Sequence, residues 1–180
     1  MKVAFNPSRP CGHCQYCLAG MPRHCNEMRF SGSAMRMPHE QGGFREYMVV
    51  QADQCIPLND TTSLAQAACA EPLSVALHAC NRAGDLQGKQ VMVTGAGPIG
   101  ALCVAAARLA GAHHIVVTDI QDATLDVARR MGADETLNVR SDPDALKPWQ
   151  QDKGRVDVVF ECSAAPSALQ DALLATRPGG

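Results

Sequence analysis

The second half of the chain alternates short apolar runs with segments of helical hydrophobic period. The predicted strands span residues 90–94, 114–119, 135–139 and 156–163, and the predicted helices span residues 98–111, 122–132, 142–153 and 165–176. Strands separated by helices of this length form right-handed βαβ units, so an α/β fold with a parallel sheet is predicted. Because a complete doubly wound sheet of this kind has six strands, we expect a partial one containing the first four.

Residues 1–60 have a different pattern. They are rich in proline, glycine, cysteine and methionine and lack a helical period, which indicates loops and short strands. Strand-like runs occur at residues 3–5 and 46–50. We therefore expect a small β-rich domain at the start of the chain.

The segment between these regions, residues 63–84, has the Leu, Ala and Val spacing of one or two buried helices. Pro72 is expected to interrupt the pattern and Gly84 to end it. A domain junction is expected in this segment, which gives one domain over residues 1–80 and a second over residues 81–180.

Composition places the chain among globular proteins, with 46% hydrophobic residues and a net charge of −2. Its basic residues are scattered, which argues against a nucleic-acid partner and favours small molecules. The longest strongly apolar stretch, residues 101–107, ends at Arg108 and is too short to cross a bilayer. The first residues lack the apolar region of a secretory signal, so a cytoplasmic location is expected.

Four of the nine cysteines are clustered near the start of the chain. They are Cys11, Cys14, Cys17 and Cys25. Pairwise disulfides cannot use this spacing without strain, whereas four thiolates complete a tetrahedral Zn²⁺ site that is closed to substrate and hence structural. An iron–sulfur cluster and four reduced cysteines in a loop remain alternatives. His13 and His24, which lie among the cysteines, are interpreted as exposed loop residues.

Residues 95–100 read GAGPIG and match the pattern G-x-G-x-x-G between a predicted strand and a predicted helix. Gly95 is expected to supply the tight turn, Gly97 to let the backbone approach a pyrophosphate, and Gly100 to allow close packing of helix and strand. The start of the helix would face the phosphate charge. The expected cofactor-binding residues are Gly95, Gly97, Pro98, Ile99, Gly100 and Asp119.

Asp119 stands at the end of the next predicted strand, where its carboxylate can accept hydrogen bonds from the adenosine ribose and repel the 2′-phosphate of NADP. The following residues, Ile120 and Gln121, add no arginine that could receive that phosphate. NAD is therefore the expected cofactor. The alternative role for Asp119 is that of a helix N-cap or turn residue.

The cysteine segment, the AEPLSV segment at residues 70–75 and the GAGPIG loop occur in the order typical of zinc-dependent medium-chain dehydrogenases. The chain resembles the polyol branch, which includes sorbitol dehydrogenase. The runs NPSRPCGHCQYC, MRFSGSAM and PHEQGGFREY are similar to sugar-acid dehydrogenases of that branch. The resemblance implies a GroES-like catalytic domain followed by a Rossmann domain, a homo-oligomer, and hydride transfer between NAD and a secondary alcohol at a catalytic zinc.

The same resemblance implies that Glu71 is the acid of the catalytic-zinc site. From the residues alone, Glu71 is also explained as a first-turn helix acid beside Pro72. The family's first catalytic ligands, a cysteine and a His-Glu pair, lie upstream of the cysteine segment, and we expect the chain to begin after them. The chain by itself is therefore expected to be inactive as a dehydrogenase.

Other histidines and cysteines receive no functional role. His78 lies seven positions after Glu71 and is expected to be packed, and His39 lies in a loop without a fixed partner. His113 and His114 precede a strand. The dispersed cysteines, Cys55, Cys69, Cys80, Cys103 and Cys162, are expected to be buried small hydrophobic residues.

Two functional hypotheses follow. The first is an oxidoreductase acting on a sugar acid, with sorbitol, xylitol, galactitol phosphate and threonine as related substrates. The second is a non-catalytic module that binds zinc and a nucleotide.

Overall fold

The computed structural model describes all 180 residues. They divide into two compact units, residues 1–68 and residues 69–180. The boundary expected from sequence, after residue 80, falls inside a helix of the second unit, Ala70–Ala83. None of the helices combines the length and the apolar content that a membrane crossing requires.

The first unit is built from short antiparallel strand pairs, as expected. Its strands are β1 (Val3–Phe5), β2 (Ser8–Arg9), β3 (Arg29–Phe30) and β4 (Cys55–Pro57), and its α-helices are α1 (Gln15–Leu18) and α2 (Leu64–Ala68). β1 pairs with β4 and β2 pairs with β3. The two strand pairs leave most of this unit as loops.

The strand expected at residues 46–50 is wrong. No strand forms there, and Tyr47 and Val49 are exposed. The partner of β1 is β4 instead. A segment with an alternating pattern forms a strand only where a neighbouring strand can hydrogen bond to its backbone. The backbone of β1 is already paired with β4.

The second unit contains the predicted βαβ series. Its elements are α3 (Ala70–Ala83), β5 (Gln90–Thr94), α4 (Pro98–Leu109), β6 (His114–Asp119), α5 (Asp122–Arg130), β7 (Glu135–Asn138), β8 (Val158–Glu161) and α6 (Pro166–Ala175). The four strands form one parallel sheet in the order β7-β6-β5-β8. The predicted parallel α/β sheet is confirmed.

The central strands β5 and β6 are almost completely buried because both faces of the sheet are covered. On one face, Val91 and Ile115 belong to a core shared with α3, α4 and α5. On the other face, Met92 and Val116 pack with Ala175 of α6. The sheet therefore holds the carboxyl ends of β5 and β6 rigidly side by side.

The interruption expected at Pro72 is wrong. The chain breaks between α2 and α3 at Cys69, and Pro72 lies in the first turn of α3. A proline is tolerated there because the first amides of a helix have no intrahelical acceptor. The two helices are also less buried than expected, since only Ala76 and Cys80 are buried.

The helix expected over residues 142–153 is also wrong. The structure has two short 3₁₀ turns there, Lys147–Trp149 and Gln151–Lys153. Pro148 lacks the amide proton that an α-helix needs at its position. Asp152 and Lys153 have positive φ values of 56° and 70°, which end any helical path.

Candidate functional site

The glycine loop connects β5 to α4 at the carboxyl edge of the parallel sheet. Its first amide, that of Gly95, donates a 2.7 Å hydrogen bond to the carbonyl of Thr118 on β6. Gly97 is the N-cap of α4, and Pro98 and Ile99 are the first two helical residues. The first amides of this helix have no intrahelical acceptor, so the site presents donors and a positive dipole end to an anion.

The three glycines of the loop differ in what an added Cβ would meet. Gly95 has φ +88°, and a Cβ there would lie 2.8 Å from the backbone of Ser163. A Cβ at Gly100 would lie 1.9 Å from the carbonyl oxygen of Gly95. At Gly97, by contrast, a Cβ would meet nothing within 4 Å. The fold itself requires the first and third glycines, whereas the middle one faces open space that a ligand can use.

Asp119 ends β6 beside this loop. One carboxylate oxygen accepts a 2.7 Å hydrogen bond from the Ala96 amide. The other accepts bonds from the Ile120 and Gln121 amides at 2.7 and 2.9 Å. The carboxylate is thus fixed in position by the backbone, and the turn-residue role weighed from sequence is present in the structure.

A cavity of about 330 Å³ opens at this edge of the sheet. Its walls come from the ends of β5 and β6, from the segment after β8 and from the start of α6. They include Gly95, Gly97, Thr118, Asp119, Ile120, Gln121, Cys162 and Ser163. The strand order places the cavity at the switch point between β5 and β8, which is where open α/β sheets bind their ligands.

Sequence reasoning missed one part of this site, the turn that follows β8. One oxygen of Glu161 accepts hydrogen bonds from the amide and hydroxyl of Ser163 at 2.8 and 2.6 Å and from the Ala164 amide at 3.1 Å. These bonds, that of the Ser163 hydroxyl above all, hold the pKa of Glu161 below its usual range. The turn carries the backbone that touches Gly95. Its only sequence signal is an acidic residue at the end of an apolar strand.

The four clustered cysteines of the first unit come together as predicted. Their Sγ atoms all lie within 4.8 Å of one another. The Cys11 and Glu27 amides donate to Sγ of Cys25, and the Cys14 amide donates to Sγ of Cys11, at 3.2 to 3.3 Å. Gly12 and Gly20, with φ of 80° and 73°, allow the backbone to fold around the sulfurs.

The donor set suits one tetrahedral ion. With Zn–S bonds of about 2.3 Å, tetrahedral geometry separates the sulfurs by roughly 3.8 Å, and all four Sγ atoms lie within 4.8 Å of one another. A multi-iron cluster inserts several atoms between the thiolates and needs a wider cage. The four thiols therefore suit a single tetrahedral ion better than a multi-iron cluster.

Two thiols of the cluster differ in pKa. Hydrogen bonds from the Cys17 and Asn26 backbones lower the pKa of Cys14 to about 6. Burial raises the pKa of Cys17 to about 12. Near neutral pH the thiolate form of Cys14 is therefore favoured, whereas Cys17 stays a thiol. A bound dication favours the thiolate form of its cysteine ligands.

The remaining candidates lie outside these two sites. Glu71 is exposed in the first turn of α3, where the Ser74 hydroxyl donates to its carbonyl. His78 is exposed, so the expectation that it is packed is wrong, because it lies away from the buried positions of its helix, Ala76 and Cys80. His13 and His24 are exposed as expected, and His39 is exposed in a loop.

The dispersed cysteines differ in how far the fold buries them. Cys80 and Cys103 are buried as expected. Cys69 is exposed and Cys55 is partly exposed, which corrects the expectation for both. Cys55 lies on a two-stranded sheet and Cys69 between two helices, and neither place is covered by the core of its unit. Cys162 is only half-buried, because it lines the open cavity, so the expectation of burial is wrong for it as well.

A parallel sheet with a glycine-loop cavity, together with four clustered cysteines, is typical of the class of zinc-binding dehydrogenases. Residues 1–60 match the family described as alcohol dehydrogenase GroES-like domain, and residues 98–180 match that described as zinc-binding dehydrogenase. The chain belongs to the zinc-dependent medium-chain dehydrogenase family, whose members are oxidoreductases.

Named relatives lie in the polyol and sugar-acid part of this family. The chain is 45% identical to L-idonate 5-dehydrogenase (NAD(P)(+)) of Escherichia coli, over 99% of the chain and 51% of the relative. It is 37% identical to sorbitol dehydrogenase of Bacillus subtilis, over 99% of the chain and 50% of the relative. The chain spans about half the length of the curated relatives that it matches.

Solved structures agree with the fold. The crystal structure of the Escherichia coli L-idonate 5-dehydrogenase matches with a TM-score of 0.93, over 99% of this chain and 51% of that one. A zinc-binding dehydrogenase from Sinorhizobium meliloti bound to NADP matches with a TM-score of 0.86 at 30% identity, over 99% and 52%. The fold class is therefore a GroES-like part followed by a Rossmann part.

Proposed function

We propose that this chain is the zinc-stabilised, NAD-binding part of an oxidoreductase that acts on a secondary alcohol of a sugar acid or polyol, with L-idonate oxidised to 5-keto-D-gluconate as the first candidate reaction. The observation that carries the proposal is the cavity between the glycine loop and Asp119. It combines an open approach at Gly97 with a fixed carboxylate, the two features that a dinucleotide requires.

In the proposed complex, the amides at the start of α4 bind the pyrophosphate, and the space at Gly97 lets it approach the backbone. Asp119 accepts hydrogen bonds from the adenosine ribose. The name of the Escherichia coli relative includes both NAD and NADP forms, so the preference for NAD rests on this carboxylate alone. No arginine follows it at positions 120 or 121.

The substrate class comes from the family resemblance. The relatives named above act on a sugar acid and a polyol, as their names state. When bound, a catalytic zinc in this family polarises the substrate hydroxyl and prepares it for hydride transfer. Glu71 is proposed as the acid of that site, and its exposed position at the start of α3 leaves the carboxylate accessible.

The test is cofactor binding followed by turnover. We expect the chain to bind NAD in a calorimetric titration. Asp122→Asn is the control and should bind NAD equally well, because Asp122 does not line the cavity. NADH formation is then followed by absorbance with L-idonate, sorbitol and L-threonine. The enzyme assayed should be expressed from the reading frame together with any coding sequence found in frame upstream and downstream. Turnover of sorbitol in preference to L-idonate would replace the first candidate reaction by that of a polyol, and turnover of L-threonine in preference to both would refute the substrate class.

The second candidate is a non-catalytic module that binds zinc and a nucleotide. It is favoured by the closed nature of the four-cysteine lobe, which offers no open metal position for a substrate. NAD binding without turnover of any of the three substrates, in the enzyme with its in-frame neighbours, would support the module over the dehydrogenase.

A further inference from the structure

Two cysteines outside the metal lobe meet behind the glycine loop. Sγ of Cys162 lies 3.9 Å from Sγ of Cys103. Cys103, in α4, is only 2% exposed, whereas Cys162 follows β8 directly and lines the cavity. One sulfur is therefore accessible from the cavity, and the second stands immediately behind it.

The two thiols are chemically unequal. The neighbouring Cys103 thiol lowers the pKa of Cys162, although burial opposes this, and the pKa of Cys103 is raised in turn by Cys162 and by burial. The thiolate is the form that peroxides oxidise, so the cavity-lining sulfur is the more reactive one. A second thiol within reach is the arrangement by which an oxidised cysteine is resolved.

We propose that Cys103 and Cys162 are a peroxide-sensitive pair that closes to a reversible disulfide. The Cys162 thiolate attacks one oxygen of hydrogen peroxide, the O–O bond breaks, and the leaving hydroxide takes a proton to become water. The resulting sulfenic acid is attacked by the Cys103 sulfur. The S–S bond forms, the S–O bond breaks, and the oxygen leaves as water with the Cys103 proton. Two thiols are oxidised and one peroxide is reduced to two waters.

Closing the bond draws the two side chains together at the wall of the cavity. An S–S bond is about 2.0 Å long, so the two sulfurs approach each other by about 1.9 Å. The backbone there is tightly held, because the Cys162 amide donates to the Thr94 carbonyl at 2.8 Å and Ser163 leaves no room for a Cβ at Gly95. Part of the movement is therefore transmitted to the glycine loop.

The disulfide itself is independent of the proposed function, but its consequence rests on that function. Displacement of the loop is expected to weaken NAD binding by about tenfold, equivalent to roughly 1.4 kcal/mol. Bound NAD is expected in turn to slow the oxidation, since it fills the cavity through which peroxide reaches Cys162.

Peptide mapping tests the pair directly. Trypsin cleaves after Lys89, Arg108 and Arg155, so Cys103 falls in residues 90–108 and Cys162 in residues 156–180, with no other cysteine in either peptide. After treatment of the zinc-loaded protein with hydrogen peroxide, mass spectrometry should find the two peptides cross-linked. Dithiothreitol should separate them. Absence of this cross-link, or attachment of the 156–180 peptide to a different cysteine peptide, would overturn the proposal.

Matched variants separate the pair from the other cysteines. Cys80→Ser removes a buried thiol of the same core that does not line the cavity, and it should still cross-link and lose NAD affinity on oxidation. Cys103→Ser should neither cross-link nor lose NAD affinity on oxidation. If the cross-linked wild type binds NAD as tightly as the reduced protein, the proposed effect of the disulfide on NAD binding is contradicted, whereas the disulfide itself is confirmed. If the reduced protein binds no NAD, the proposed function fails, and the mapping still decides the pair.

Discussion

Asp119 and Ala96 join the ends of two neighbouring parallel strands, because the Ala96 amide donates a 2.7 Å hydrogen bond to the Asp119 carboxylate. The bond links the glycine loop after β5 to the last residue of β6. A residue proposed to select the cofactor therefore also holds the loop that would bind its phosphates. Cofactor choice and loop shape are coupled through one side chain.

Asp119→Asn is expected to reduce the preference for NAD over NADP by about tenfold or more, since it removes the charge that repels a 2′-phosphate. Overall affinity should fall as well, because an amide group cannot accept all the backbone bonds made by the carboxylate. Calorimetry with both cofactors measures the ratio, and Asp122→Asn should leave it unchanged. Tighter binding of NADP than NAD by the unaltered protein would contradict the role given to Asp119.

Gly97→Ala and Gly100→Ala should have opposite signatures. A Cβ at position 97 meets nothing, so the fold should keep its melting temperature while NAD affinity falls by roughly tenfold, through loss of close phosphate contact. A Cβ at position 100 strikes the Gly95 carbonyl, so stability should fall by about 1–3 kcal/mol. Thermal melts and NAD titrations of both variants check this. Full NAD affinity in a folded Gly97→Ala protein would place the phosphates elsewhere.

Cys14→Ser should release the metal of the cysteine lobe, because three thiolates leave the tetrahedron incomplete. The purified chain should contain one zinc, measured by elemental analysis, and the variant close to none. Cys55→Ser is the matched control, since it alters a cysteine of the same unit outside the cluster and should retain the zinc. Iron in the purified protein, or zinc retained by Cys14→Ser, would disprove the assignment.

Asp134 is expected to contribute to stability near neutral pH. Burial tends to raise the pKa of Asp134, but the Ile115 amide, at 2.7 Å, and the Arg108 guanidinium outweigh it and lower the pKa overall. A lowered native pKa means that the stabilisation is complete above the ordinary aspartate pKa of about 3.9. It is lost as the pH falls toward the native value.

Asp134→Asn should accordingly destabilise the second unit at pH 7 by about 1 kcal/mol. This is the contribution of a hydrogen bond to a charged group, lowered because both side chains of the Arg108–Asp134 ion pair are partly exposed to solvent. The difference from wild type should shrink below pH 4. Urea unfolding followed by Trp149 fluorescence reports this unit, because Trp149 is the single tryptophan and stacks on His114. Asp126→Asn, which removes an exposed ion pair with Arg129, is the control. A pH-independent difference would show that the carboxylate charge is not the cause.

The sequence alone determined the elements whose signals are local. Residue type and spacing specify the buried runs of β5 and β6, the glycine loop and the four clustered cysteines. These signals can be recognised in the sequence without knowing which residues are neighbours in space. Their order also predicted the parallel sheet, because short βαβ connections allow few topologies.

Only the tertiary structure decided the features that depend on contacts between residues distant in sequence. Residues 46–50 have a strand pattern but no strand beside them, and Pro72 lies where its missing amide is harmless. The contact between Cys103 and Cys162 joins residues 59 positions apart. Whether a cysteine is buried, or contacts another cysteine, depends on which surfaces the fold covers. The hydrophobic pattern of the sequence does not specify those surfaces.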